Sequence, residues 1–206
     1  MVFIAMDPND SNTVFTGSFR VWRTRDDGAN WEAVSDSFRG IISAIEIAPA
    51  DSNRIYVGTT WGAIYRSLDG GETWSSNLAG ATLPGFKVTR LKTHPHDADR
   101  VLATTANFGG SHVFRSLDGC QTWADVDQGH LPDVPHNSIS VPRNFPEEVY
   151  VANDVGVFFS PDFGDTWLNF TGDLPNVNVV DLVYHNGDNT LTAATYGRSH
   201  WRIQVR

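Results

Sequence analysis

The eight residues Ser67-Leu68-Asp69-Gly70-Gly71-Glu72-Thr73-Trp74 decide the fold of this chain, because their pattern returns three more times. Thr24 to Trp31, Ser116 to Trp123 and Ser160 to Trp167 share the form [ST]-x-D-x-x-x-[TN]-W, and the closing Trp residues at 31, 74, 123 and 167 lie 43, 49 and 44 residues apart. That interval is the length of a four-stranded propeller blade. A second turn recurs in step with the first: Asp7-Pro8-Asn9-Asp10, Ala48-Pro49-Ala50-Asp51, His94-Pro95-His96-Asp97 and Val141-Pro142-Arg143-Asn144. Around these turns the sequence predicts four short strands per unit, clearest in the second unit over 41–48, 54–59, 63–67 and 74–77.

The predicted fold is all-β, a β-propeller of four-stranded antiparallel blades, four of them complete and the fifth three-stranded. It forms one domain over 1–206, with blades at approximately 2–38, 40–79, 86–127, 136–171 and 178–206. In the fifth unit the strand pattern covers 179–185, 190–194 and 200–205, and a fifth Trp falls due just past the last residue. A compact five-bladed ring is the favoured closure, with a monomer as its consequence. An open arc is the alternative, and its exposed end blades make a homodimer possible.

Each part of the eight-residue box has a folding role. The Ser or Thr hydroxyl and the Asp carboxylate accept hydrogen bonds from backbone N–H groups that a tight turn leaves unpaired, and the Gly takes up φ > 0. The Trp is large enough to wedge between neighbouring sheets. Asp26, Trp31, Asp69, Trp74, Asp118, Trp123, Asp162 and Trp167 are therefore read as structural. In the third box Cys120 stands where the others have Gly28, Gly71 and Gly164, which predicts strain in that turn. The single Asp shared by all four boxes does not supply the alternating oxygen ligands of a calcium loop, and the seven His form no metal-binding motif, so neither a metal nor a cofactor is expected.

Composition narrows the function classes. Seven Trp, twelve Phe and five Tyr with 18 Gly suit many short strands and tight turns, and the net charge of −9 disfavours a nucleic-acid partner. No apolar run is long enough for a membrane helix, and the N-terminal residues lack the features of a signal peptide. Cys120 is the single cysteine, so an intrachain disulfide is impossible.

The boxes resemble the bacterial-neuraminidase (BNR) or Asp-box repeats of sialidases, xyloglucan-cleaving endoglucanases, sortilin-type receptors and photosystem assembly factors. The stretch from Leu174 through Thr195-Tyr196-Gly197-Arg198 to Ile203 also looks like the last blade of secreted bacterial BNR proteins. The resemblance implies a propeller and an extracellular or cell-surface setting. It does not supply an active site: Ser18-Phe19-Arg20-Val21-Trp22 lacks the proline of the segment that introduces a sialidase site, and one short propeller cannot form a cleft between two.

Aligned on their turns, the first strands of the units give an apolar column, Ile4, Ile45, Leu91, Ser138 and Leu182, flanked by positions expected to face the channel. Glu46, Arg90, Lys92, Asn137 and Asp181 then converge near the axis as the candidate ligand-binding set, with Asp181 and Glu46 as weak catalytic candidates. The bland alternative is mutual neutralisation of charges in a solvated channel. The first functional reading is a non-catalytic binding or scaffold module for a glycan or protein, with the loops at 107–111 and 129–136 as further contact surfaces. The second is a glycoside hydrolase, or part of one, using two carboxylates.

Overall fold

The computed structural model describes residues 3–205; residues 1, 2 and 206, at the two ends of the expected domain, lie outside the described residues. Five antiparallel sheets follow one another along the chain. The first holds β1 (Phe3–Asp7), β2 (Asp10–Gly17), β3 (Val21–Thr24) and β4 (Glu32–Ala33); the second β5 (Ile42–Ile47), β6 (Ile55–Thr59) and β7 (Ile64–Ser67). The third holds β8 (Val88–His94), β9 (Asp97–Thr105), β10 (Val113–Ser116) and β11 (Ala124–Asp125); the fourth β12 (His136–Ser140), β13 (Val149–Asn153), β14 (Gly156–Ser160) and β15 (Leu168–Asn169). The fifth holds β16 (Val179–His185), β17 (Thr190–Thr195) and β18 (His200–Gln204). Strands are adjacent in sequence order within every sheet, the meander of a propeller blade, and no helix occurs among the described residues.

The second blade departs from four full strands. Its outer run still pairs with β7, through Ser75 N–H to Arg66 O at 2.9 Å and Leu78 N–H to Ile64 O at 2.8 Å. The return bonds, however, go to side chains: Arg66 N–H donates to Ser75 Oγ at 3.0 Å and Ile64 N–H to Asn77 Oδ1 at 2.9 Å. Side-chain oxygens thus replace main-chain carbonyls, and the run is not a regular strand. The same replacement recurs at the start of the third strand elsewhere, with Ser35 serving Val21, Asp127 serving His112 just before β10 and Thr171 serving Val157, the second residue of β14.

All four boxes have one geometry. In the second, Asp69 Oδ1 accepts from Ser67 Oγ at 2.8 Å and from Thr73 N at 2.8 Å, Asp69 Oδ2 accepts from Thr73 Oγ1 at 2.6 Å, and Ser67 Oγ accepts from Gly71 N at 2.8 Å. The carboxylates of Asp26, Asp118 and Asp162 make the matching bonds. Cys120 does occupy the left-handed region, at φ 72°, beside φ values of 90°, 95° and 101° at Gly28, Gly71 and Gly164. A non-glycine residue there is strained.

Blades are joined by apolar cores between consecutive sheets. Phe15, Val21, Ile42 and Val57 join blades one and two; Tyr56, Ile64, Leu91 and Phe114 join two and three. Leu102, Val113, Ile139 and Phe158 join three and four; Tyr150, Val157, Leu182 and Leu191 join four and five. The sequence shows why. β6, with Ile-Tyr-Val-Gly-Thr, and β13, with Val-Tyr-Val-Ala-Asn, are buried on both faces, whereas β2 and β17 alternate between covered and open positions. Blades one and five therefore each present one face to solvent: Ile4 is 72% and Met6 60% exposed. Innermost strands pack β1 on β5, β5 on β8, β8 on β12 and β12 on β16, with no comparable packing of β16 on β1 among the described residues. The closed five-bladed ring favoured from sequence is thus corrected to an open arc, because the first and last innermost strands, β1 and β16, do not pack on each other among the described residues as every other consecutive pair does.

Candidate functional site

Innermost strands β5, β8, β12 and β16 line a cavity of about 410 Å³, whose mouth carries Pro8, Pro49, Pro95, Arg143 and Asn186, one residue from each of the five inner turns. Its wall includes Glu46, Arg90, Lys92, Ser140 and Asp181. Four of the five charged and polar residues named from sequence line it; Asn137 does not.

The charges inside are paired across blades. Arg90 of blade three donates from Nη2 to Asp181 Oδ1 of blade five at 2.5 Å, reaching past blade four, whose Ser138 Oγ donates to the same oxygen at 2.7 Å. Leu182 N–H donates to that oxygen too, at 3.0 Å. Lys92 Nζ donates to Glu46 Oε2 at 3.1 Å, while Glu46 Oε1 accepts from Thr93 N–H at 3.1 Å and Thr93 Oγ1 at 3.0 Å. Glu46 is buried, and these bonds replace the water it gives up. Arg143 lies exposed at the mouth, so three cations face two carboxylates.

Asn137 is displaced by a β-bulge. Four innermost strands change register between their first and third residues, so Ser43, Thr89, Asn137 and Val180 bulge out of the ladder. Three of the bulged side chains then clasp the next blade: Ser43 Oγ donates to Val88 O at 2.7 Å, Thr89 Oγ1 to His136 O at 2.5 Å, and Asn137 Nδ2 to Val179 O at 3.1 Å. The pairing puts Ser138 level with Arg90 and Asp181, and Ile139 level with Leu91 and Leu182, so counting back from the proline misplaces blade four by one residue. Sequence reasoning consequently missed Ser138, Ser140 and Arg143. The signal for them is Pro142, which follows Ile139 by three residues, whereas Pro49 and Pro95 follow the level residues Ile45 and Leu91 by four.

The loops at 107–111 and 129–136 are tied together rather than independent. Gly109 N–H donates to Asp133 Oδ1 at 2.5 Å, His112 Nδ1 meets Asp127 Oδ2 at 2.8 Å, and the His112 and His136 rings stack at 5.0 Å. Burial pushes His136 down to about 4. No group of three or more His, Cys, Asp and Glu among the described residues is arranged to hold a metal ion.

Comparison with known proteins accords with this geometry. A family model described as sortilin, neurotensin receptor 3 (Sortilin-Vps10) matches residues 19–112. The chain is 28% identical to a xyloglucanase of Acetivibrio thermocellus over 196 aligned positions, covering 76% of this chain and 22% of the enzyme. It superposes on the crystal structure of the GH74 xyloglucanase from Xanthomonas campestris with a TM-score of 0.78 at 17% identity, covering 98% of this chain and 36% of that one. Its repeats belong to the Asp-box-like propeller superfamily. A vacuolar protein sorting/targeting protein 10 of Chaetomium globosum extends the span of that superfamily, at 32% identity over 96 residues, 45% of this chain and 6% of the relative. The chain thus spans less than a quarter of the length of each curated relative named here. Within this propeller no helix among the described residues is long and apolar enough to cross a membrane.

Proposed function

We propose that this Asp-box-like propeller is a non-catalytic binding module whose central cavity takes a polar ligand, a glycan or a segment of another protein, in an extracellular or cell-surface setting. One observation carries the reading: Glu46 and Asp181 both accept their hydrogen bonds from a cation, a hydroxyl and a backbone amide. Glycoside cleavage needs one carboxyl group placed as a proton donor and a second as base or nucleophile. Here both serve as anchors for Arg90 and Lys92, which leaves those cations oriented toward the cavity as hydrogen-bond donors. Arg143 adds a third donor at the mouth.

The alternative, a glycoside hydrolase or part of one, is supported by the 28% identity to a xyloglucanase. A glycan array and xyloglucan oligosaccharides, tested in parallel for binding and for release of reducing ends, separate the two. Binding without turnover, weakened about tenfold by Arg90→Ala, supports the module; that loss corresponds to roughly 1.4 kcal/mol. Turnover abolished by Asp181→Asn overturns it.

A further inference from the structure

The end of the propeller opposite the proline turns is built from the links between second and third strands and from the links between blades. Aromatic side chains stand open on several of them: Phe19 is 51%, Trp61 62%, Phe86 45% and Phe108 68% exposed. Trp61 and Phe108 sit on the second-to-third-strand links of blades two and three, and Phe86 on the link joining those blades. Both blades pack on a neighbour on each side, so this exposure does not arise at an end of the arc. Phe19 lies on the corresponding link of blade one, which is tied to blade two through Ile42 N–H to Ser18 O at 2.7 Å. Trp61 rests against Gly40, where an added Cβ would come within 3.1 Å of its Cγ. A Cβ on Gly62 would come within 2.5 Å of the Gly85 carbonyl carbon, so the links carrying Trp61 and Phe86 touch backbone to backbone. Ala106 N–H donates to Lys87 O at 3.0 Å and brings the link of Phe108 beside them.

The same links carry cations without a carboxylate partner. Arg20 follows Phe19, Arg39 precedes Gly40 and Lys87 follows Phe86. None of the three forms an ion pair among the described residues, whereas Arg23, Arg54, Arg100 and Arg115 elsewhere each do. Arg20 Nε donates to Ser37 Oγ at 3.2 Å, which leaves its two terminal nitrogens for a ligand. Residues 18–20, 34–41, 60–63 and 76–87 hold one acidic side chain, Asp36, against these three cations. In a chain with a net charge of −9, this is a local positive patch set among open rings.

We propose that this face binds an acidic glycan, a chain of sugars bearing carboxylates or sulfates. The C–H faces of its pyranose rings stack on Trp61, Phe86 and Phe108, while Arg20, Arg39 and Lys87 donate charged hydrogen bonds to its anionic groups. Separate rings interleaved with cations suit a chain that alternates apolar faces with charges. A protein interface centres instead on a continuous apolar core depleted of charge. An extended anionic surface, such as a membrane or a nucleic-acid duplex, would also meet the acidic remainder of the chain. The site is separate from the central cavity, whose mouth lies at the other end of the strands.

The test uses the full chain in titration calorimetry with three hexasaccharides: oligogalacturonate, heparin and neutral cellohexaose. At least one acidic glycan should saturate the protein with Kd below about 1 mM and bind about tenfold more tightly than the neutral one. Trp61→Ala and Lys87→Glu should each weaken that binding by about tenfold with circular dichroism unchanged. Lys87 is exposed, so its variant carries the test even where the tryptophan variant fails to fold. The proposal is overturned by no saturation with either acidic glycan, by equal affinity for cellohexaose, or by undiminished binding to the Lys87→Glu variant. It is also overturned by phosphatidylserine vesicles capturing the chain where the glycans do not, or by loss of glycan binding in Arg90→Ala, which would move the ligand to the central cavity.

Discussion

Trp74 donates its indole N–H to the main-chain carbonyl of Val34, 2.8 Å away and 40 residues earlier in the chain, so the residue that closes one turn also fastens its blade to the one before. Its ring further meets Phe38 edge-on at 5.3 Å between centroids. Trp74→Ala should therefore destabilise the fold by about 3 kcal/mol, the loss expected for a large aromatic at a packed interface. Trp31 heads the same motif in blade one but packs on no earlier blade among the described residues and is 41% exposed. Trp31→Ala should cost under about 1 kcal/mol. Urea denaturation of both variants measures the contrast, and equal losses would refute the blade-to-blade role.

Asp69→Ala leaves the N–H of Thr73 without its acceptor and frees the Ser67 hydroxyl. The Thr73 hydroxyl and amide, followed by Ser67, hold this carboxyl down at about 2. Substitution should lower stability less than Trp74→Ala does, because the exposed Thr73 amide turns to water when its acceptor is removed. Denaturation midpoints check it, and ligand binding in the central cavity should be unchanged.

The periodic features were legible in the sequence because each blade must solve the same problem: a tight turn needs an oxygen acceptor at its centre and a wedge at its end, and only a few residue types serve. The cavity was legible only in part. Glu46, Arg90, Lys92 and Asp181 follow from alternation along a strand, but a one-residue slip transfers every side chain to the other face, and the shorter spacing from Ile139 to Pro142 made that slip in blade four. Openness of the arc was written in the alternation of Thr13 to Thr16 and Leu191 to Ala194 against the continuous apolar run at Ile55 to Val57. Those runs differ because an end blade has one neighbour and an inner blade two.

Cys120 illustrates how a chemical group is silenced by position. It is fully buried, its N–H donates to Ser116 Oγ at 2.8 Å, and burial raises its thiol well above the usual range. The native protein should consume no iodoacetamide over hours at pH 8, then react completely once unfolded in guanidinium. Rapid labelling of the folded chain would show that the third box opens on its own.

The last prediction concerns pH. His136 is fully buried, its Nδ1 lies 2.9 Å from Val134 O, and Asn153 Nδ2 lies 3.3 Å from its Nε2. A neutral ring with its proton on Nδ1 satisfies both contacts; a second proton on Nε2 would point at the Asn153 amide. Burial, with the nearby His112 opposing further charge, brings the folded value down to about 4, below the roughly 6.5 of a free imidazole. The unfolded chain therefore binds this proton more readily than the folded one. The resulting stability is complete above pH 6.5 and is lost as pH falls toward 4, by about 3 kcal/mol at the lower end. The box carboxylates, also lowered, titrate in a separate window below their ordinary 3.8. Guanidinium denaturation at half-unit steps between pH 7 and 4 should show this decline in the native sequence. His136→Gln, whatever its stability at pH 7, should show a shallower slope over that range, and an unchanged slope would assign the effect to other groups.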